Sequence, residues 1–259
     1  MKTIDLGATL RHNGVIDPPV QRANITYTDH TGGKASMLSF YPGLEEKDLP
    51  GGVGWAYEGL RLGTHTGTHM DAPWHYHPTM DGGKRASTID ELPLEWCIAS
   101  GVKLDFSDKP DGYCITAADM DRKLQEIHHS LKENEIVFIQ SGAAAYAESD
   151  CFPDKGCGAG REATNYLTER GVHIVGTDGW SWDRPLSIVA KEYQQTHDKS
   201  IVWEGHLAGI EHGYYQIEKL TNLNLLPPDG FTIICIPIKI ERASAGWVRP
   251  IAILDGELL

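Results

Sequence analysis

Apolar and polar positions change their rhythm about a third of the way along the chain. Before residue 96, short runs of β-type residues alternate with turn formers, and residues 23–29 (ANITYTD) and 35–41 read as strands bounded by Gly, Asp and Pro. Residues 42–58 hold two prolines and four glycines among several acids. They read as a loop, because patterned sequence resumes on both sides. Beyond residue 96, strands alternate with helices. Residues 98–106 read as a strand. Thr116 opens a helix predicted to run to about Lys132, apolar at 117, 120, 124, 127 and 131, with Asp119 as the partner of a capping box. Strands follow at 136–140, 172–176, 214–218, 231–240 and 247–254, with helices at 161–170, closed by Gly171, and near 203–212. The stretch 148–160 is polar and Gly-rich, and no internal repeat occurs. This alternation predicts an α/β fold built as one domain over residues 1–259, the β-rich N-terminal part extending the sheet or packing beside it.

Composition narrows the class. Hydrophobic residues make up 41% of the 259 positions, enough for a sizeable core. The chain carries 23 basic and 36 acidic residues, net −13, and no basic stripe offsets this locally. Such a surface repels phosphate backbones, so nucleic acid is not an expected partner. No run of about 18 apolar residues occurs, so no membrane span is expected. The N-terminal MKTIDLGATLRHNG lacks the apolar core of a signal peptide. Five scattered cysteines without a Cys-x-x-Cys pair favour a reducing, cytoplasmic setting over a disulfide framework.

The candidate chemistry is concentrated in LGTHTGTHMDAPWHYHP, where four of the twelve histidines fall between residues 65 and 77. His65, His69, Asp71 and His75 would share one face of an extended chain. On a straight strand, however, His65 and His69 would stand ~13 Å apart, too far to bind one ion at ~2.1 Å. The chain must therefore curl, and Gly67 lies at the midpoint, where a missing side chain permits it. Gly67, the threonines at 64, 66 and 68 and Pro73 argue against a helix. Imidazole and carboxylate ligands suit zinc, manganese or iron, and two histidines with one carboxylate leave positions open for water and substrate.

The same segment carries all seven defined positions of His-x-Gly-Thr-His-x-Asp-x-Pro-x-His: His65, Gly67, Thr68, His69, Asp71, Pro73 and His75. In this it resembles the cyclase family of metal-dependent hydrolases, which includes bacterial kynurenine formamidases and isatin hydrolases. The resemblance extends to HLAGIEHGYYQIE, which places His206 and Glu218 twelve apart. It implies an α/β architecture of the swivelling β/β/α type and a homo-oligomer, dimer or tetramer. It implies that His65, His69 and Asp71 bind a first Mn²⁺ or Zn²⁺ ion. Asp71, His206 and Glu218 would bind a second, or orient the first site if one ion is present. His75 would be the acid–base catalyst. The motif begins only at residue 65, a long N-terminal stretch that favours the isatin-hydrolase-like branch. The implied activity is hydrolysis of a C–N bond in a cyclic or aryl amide. The implied substrate is a small, aromatic molecule. Lactone hydrolysis, a metal-assisted cyclase or dehydratase, and a non-enzymatic metal-binding protein are the alternatives.

Other residues carry weaker signals. His77 precedes Pro78 and reads as a solvated loop residue, His212 as an ordinary residue at a helix end. His128 and His129 read as solvated on a polar helix face. Asp178, Trp180, Trp182 and Asp183 follow the strand at 172–176, where open α/β sheets tend to bind ligands. Trp74, Trp180 and Trp182 are candidates for stacking on an aromatic substrate, or for filling the core or a subunit interface. There is no Gly-x-Ser-x-Gly, so a serine hydrolase is not expected, and GCGAG at 156–160 lacks the strand and spacing of a dinucleotide fingerprint.

Overall fold

A computed structural model describes residues 2–254. Nine strands form its main sheet: β1 (Lys2–Asp5), β2 (His69–Asp71), β3 (Ile98–Asp105), β4 (Ile136–Gln140), β5 (Ile174–Thr177), β6 (Tyr215–Glu218), β7 (Phe231–Ile234), β8 (Ala245–Trp247) and β9 (Ile251–Leu254). Their order across the sheet is β1-β9-β7-β3-β4-β5-β6-β2-β8. The central four, β3, β4, β5 and β6, are parallel, and antiparallel strands flank them on both sides.

Strands buried on both faces need apolar residues at successive positions, and β4 (IVFIQ) has them from Ile136 to Ile139. Ile136 and Phe138 point into one core with Met70, Ile174, Ile217 and Phe231. Val137 and Ile139 point into the other, with Leu104, Met120, Leu167, Val175 and Trp182. Helices α1 (Ala117–Glu126) and α2 (Arg161–Thr168) cover this second face. The capping box of α1 forms as expected: the Thr116 N–H donates to Asp119 Oδ2 at 3.0 Å, and the Asp119 N–H to Thr116 Oγ1 at 3.2 Å.

Several boundaries differ from the sequence reading. Residues 35–41 are not a strand; Lys34–Ser39 is a short helix, as Ala, Met and Leu prefer. Helix α1 stops at Glu126 rather than Lys132, because the backbone at His128 turns left-handed (φ 54°). The strand expected over 231–240 ends at Ile234, ahead of Pro237, and 247–254 divides into β8 and β9 around Pro250. The loop at 42–58 runs into a strand, Tyr57–Arg61, that pairs with Asn24–Thr28. Helix α3 (Leu186–Thr196) was not anticipated. A last helix, α4 (Glu204–Ala208), carries His206.

Candidate metal centre

Two neighbouring strands supply the floor of the site. In the antiparallel pairing of β2 with β6, His69 stands opposite Glu218 and Asp71 opposite Gln216. Side chains alternate along a strand, so His69, Asp71, Gln216 and Glu218 share one face while Met70 and Ile217 enter the core behind it. The turn before β2 returns His65 to the same point. Gly67 sits at its apex with φ +66°, a conformation that other residues adopt only at a cost. The Gly67 N–H donates to Asp17 Oδ2 at 2.8 Å, and the buried Lys219 ammonium bonds Asp17 Oδ1 and the His65 carbonyl. After β2, Pro73 opens a single helical turn (Pro73–Tyr76) that carries His75 back over the floor. His206 descends from α4, which Gly205 lets approach closely: a Cβ there would stand 2.6 Å from the Ala159 carbonyl oxygen.

The ligand atoms converge. His65 Nδ1 lies 2.8 Å from Asp71 Oδ1, and His69 Nε2 lies 3.2 Å from the same oxygen. Glu218 Oε2 is 3.6 Å from His69 Nε2. On the other side of the Asp71 carboxylate, His206 Nε2 is 3.8 Å and His75 Nε2 3.9 Å from Oδ2. These atoms crowd without bonding one another: His69 Nε2 and Asp71 Oδ1 are buried and have no hydrogen-bond partner among the described residues. Leaving such groups unsatisfied costs ~1–3 kcal/mol each, more when charged. Ligands ~2.1 Å from one ion and at right angles to each other stand ~3 Å apart, close to the separations found here.

The outward nitrogens of the three candidate ligand histidines are also committed. His65 Nε2 pairs with Ser244 Oγ at 3.0 Å, His69 Nδ1 with the Gly67 carbonyl at 2.9 Å, and His206 Nδ1 with Asp183. Each ring is thereby oriented with its other nitrogen turned inward, the arrangement typical of metal-ligating histidines. The donor set therefore fits a divalent ion. Two groups, His65–Asp71–His75 and His69–Asp71–Glu218, have their ligand atoms mutually within 4.8 Å, so His75 stands near enough to count among possible ligands.

Burial sets the protonation of the cluster. It would raise the Asp71 pKa, but His69, His206 and His65 outweigh it and hold the carboxyl well below the usual range. Burial, reinforced by Asp71, pushes Glu218 up. It pushes His75 down to about 4 despite the attraction of Asp71, leaving that ring neutral at pH 7. Burial also works to lower His206, while Asp183 and Asp71 raise it to about 10. The Gln216 amide nitrogen nonetheless approaches His206 Nε2 at hydrogen-bond distance. A protonated Nε2 could not accept that N–H, so the neutral ring with its proton on Nδ1 suits the contact better.

The cluster opens into a cavity of about 240 Å³, walled also by Gln21, Trp180, Leu186, Trp203 and Lys219. Trp203 stacks on His206 (centroids 4.3 Å apart) and meets His75 edge-on at 5.2 Å. Of the aromatic candidates, Trp180 lines this cavity. Trp182 is instead a core residue, its indole N–H bonded to Thr164 Oγ1 at 2.9 Å, and Trp74 points outward, 42% exposed. His77 is a half-buried residue just after the helical turn, its Nδ1 tied to Thr79. His129, by contrast, is not solvated, being clasped between Glu135 and Asp229. His212 is half-exposed near Glu169. Asp178 is structural, receiving the Ser141 and Gly142 N–H groups. The sequence reading passed over Trp203, Gln216, Ser244 and the Asp17–Lys219 pair. Gln216 was the findable one, a polar residue alternating with Glu218 in an otherwise apolar strand.

Fold and site together define an α/β protein with a buried histidine–carboxylate centre one strand in from the edge of its sheet. The family described as "Putative cyclase" matches residues 4–184, and the chain belongs to that family. A kynurenine formamidase of Salinibacter ruber is 27% identical over 192 residues, 74% of this chain and 77% of the relative. An isatin hydrolase of Roseibium aggregatum is 24% identical over 209 residues, 77% of this chain and 75% of the relative. Among solved structures, an isatin hydrolase bound to the product analogue thioisatinate superposes with a TM-score of 0.74 at 21% identity, covering 97% of this chain and 91% of that one. This likeness establishes the shared fold, the α/β architecture expected from the motif. The family match ends ahead of His206 and Glu218. Their place beside Asp71 rests on the strand register and on α4.

Proposed function

We propose that the protein is a metal-dependent hydrolase cleaving the C–N bond of a cyclic or aryl amide. The observation that carries this reading is a pair of buried candidate ligand atoms, His69 Nε2 and Asp71 Oδ1, without hydrogen-bond partners among the described residues, beside a cavity open to a small molecule. His65, His69 and Asp71 would hold the ion, with Glu218 and His206 closing the acidic side, and manganese or zinc suits these donors. When bound, the ion supplies Lewis acidity toward water and the amide carbonyl. His75, neutral at pH 7, takes the proton of the attacking water and returns it to the leaving nitrogen. Trp180, Trp203 and Leu186 offer flat and apolar walls for an aromatic ring. Relatives named for isatin and kynurenine substrates point the same way.

The test is chelation followed by a substrate panel. A strong chelator should abolish turnover, and Mn²⁺ or Zn²⁺ should restore it. Restored enzyme should prefer isatin-like cyclic amides, N-formylkynurenine or aryl formamides over peptides, phosphate esters and lactones. Full activity in demonstrably metal-free protein would refute the metal, and a preference for peptides or phosphate esters would refute the substrate class.

A further inference from the structure

The two oxygens of Asp71 live in different surroundings. Oδ1 faces His65 and His69 and has no hydrogen-bond partner among the described residues. Oδ2 accepts from the Gln216 amide nitrogen at 3.1 Å. The same nitrogen lies 3.1 Å from Glu218 Oε1 and within hydrogen-bond distance of His206 Nε2. One fully buried NH₂ group is thus surrounded by two carboxylates and an imidazole. It has two hydrogens for three acceptors.

One nitrogen and two carboxylate oxygens around a common point are the donors a divalent cation takes. Here the point is occupied by a neutral amide whose hydrogens carry only partial positive charge. The amide is well anchored. The strand register puts Gln216 opposite Asp71 and on the face of Glu218, and its Oε1 lies 3.0 Å from the Tyr214 hydroxyl. Glu218 Oε1 has a further donor in the Trp182 N–H at 3.0 Å, and His206 Nδ1 is held by Asp183. The acidic half of the centre is therefore satisfied from within the chain, while the His65–His69 half is not.

We propose that Gln216 stands in for a second cation and limits the centre to one metal ion, bound on the Oδ1 side of Asp71. The inference rests on the reading of the site as metal-dependent. Its consequence is that removing the amide opens a second position between Asp71 Oδ2, His206 and Glu218.

Purified protein loaded with excess Mn²⁺ and desalted should contain one manganese per chain, with the six-line EPR signal of an isolated ion. Gln216→Ala should double the bound manganese and broaden the signal through coupling of two neighbouring ions. Gln216→Glu keeps the side-chain shape, so it guards against misfolding of the shorter variant; it replaces the donor by a ligand and should also bind two. Two ions in the wild type, or one in both folded variants, would overturn the proposal and leave the metal reading intact. No ion in any of the three proteins would remove the metal reading itself.

Discussion

Residues in the motif differ in role by which atoms they bring to Asp71. His69 is buried with Nδ1 committed to the Gly67 carbonyl, so its only free function is the inward Nε2. His75 arrives on a separate helical turn and faces the cavity near Trp203, farther from Asp71 than either His65 or His69. His69→Ala should therefore lose metal, measured by elemental analysis. His75→Ala should keep it while kcat falls by roughly 10²–10⁴, the usual worth of general acid–base catalysis. Equal metal loss in both variants would make His75 a ligand. At this scale the sequence was most legible: spacing and residue type singled out His65, His69, Asp71 and His75. Ser244, which orients His65, was not legible, being distant in the chain and of a residue type common at surfaces and turns; Asp183, which orients His206, was singled out only as following the strand at 172–176.

Elements position these side chains through backbone geometry. The expected curl at Gly67 is present, with φ +66°. A Cβ at that residue would meet only Leu10 Cδ1, at 3.4 Å, so the penalty for Gly67→Ala is mainly conformational, about 1–2 kcal/mol. Because His65 and His69 flank the turn, metal affinity should fall together with stability. A variant destabilised in urea but unchanged in a metal titration would show that the turn does not set ligand geometry. The capping box of α1 and the doubly apolar strand β4 were readable because their signals are local. Helix α3 shows the opposite case. Leu186, Val189, Ala190 and Tyr193 follow helical spacing, yet only Val189 is buried, so the stripe is weakly apolar and easily passed over. Residues 35–41 were read as a strand because β-type residues there are bounded by turn formers, a reading that gave too little weight to the helix preference of Ala35, Met37 and Leu38.

Across the whole molecule, ties between distant segments hold the sheet in register, and one responds to pH. His129, after α1, is clasped by Glu135, just before β4, and by Asp229, just before β7. Burial opposes its protonated form, but the two carboxylates win and raise its pKa above the ordinary 6.5. Its stabilisation is then complete below pH 6.5 and fades as pH climbs through the raised folded-state value. His129→Gln should lower Tm more at pH 5.5 than at pH 9; an equal drop at both would rule out a charged clasp. The site depends on the same long-range order. Asp17 reaches the Gly67 turn from near the N-terminus, His206 arrives on α4, and Gln216 and Glu218 arrive on β6. The sequence by itself determined the α/β class and the candidate ligand cluster at 65–75, because period and spacing within a few residues act through local geometry. A recognised pattern also pointed to His206 and Glu218. Only the tertiary structure decided that Glu218 faces His69, that Gln216 fills the space beside Asp71, and that Trp203 rather than Trp74 walls the cavity. Those outcomes follow from which strands pair and in what register, and a register is chosen by the energy of the whole sheet and its two cores.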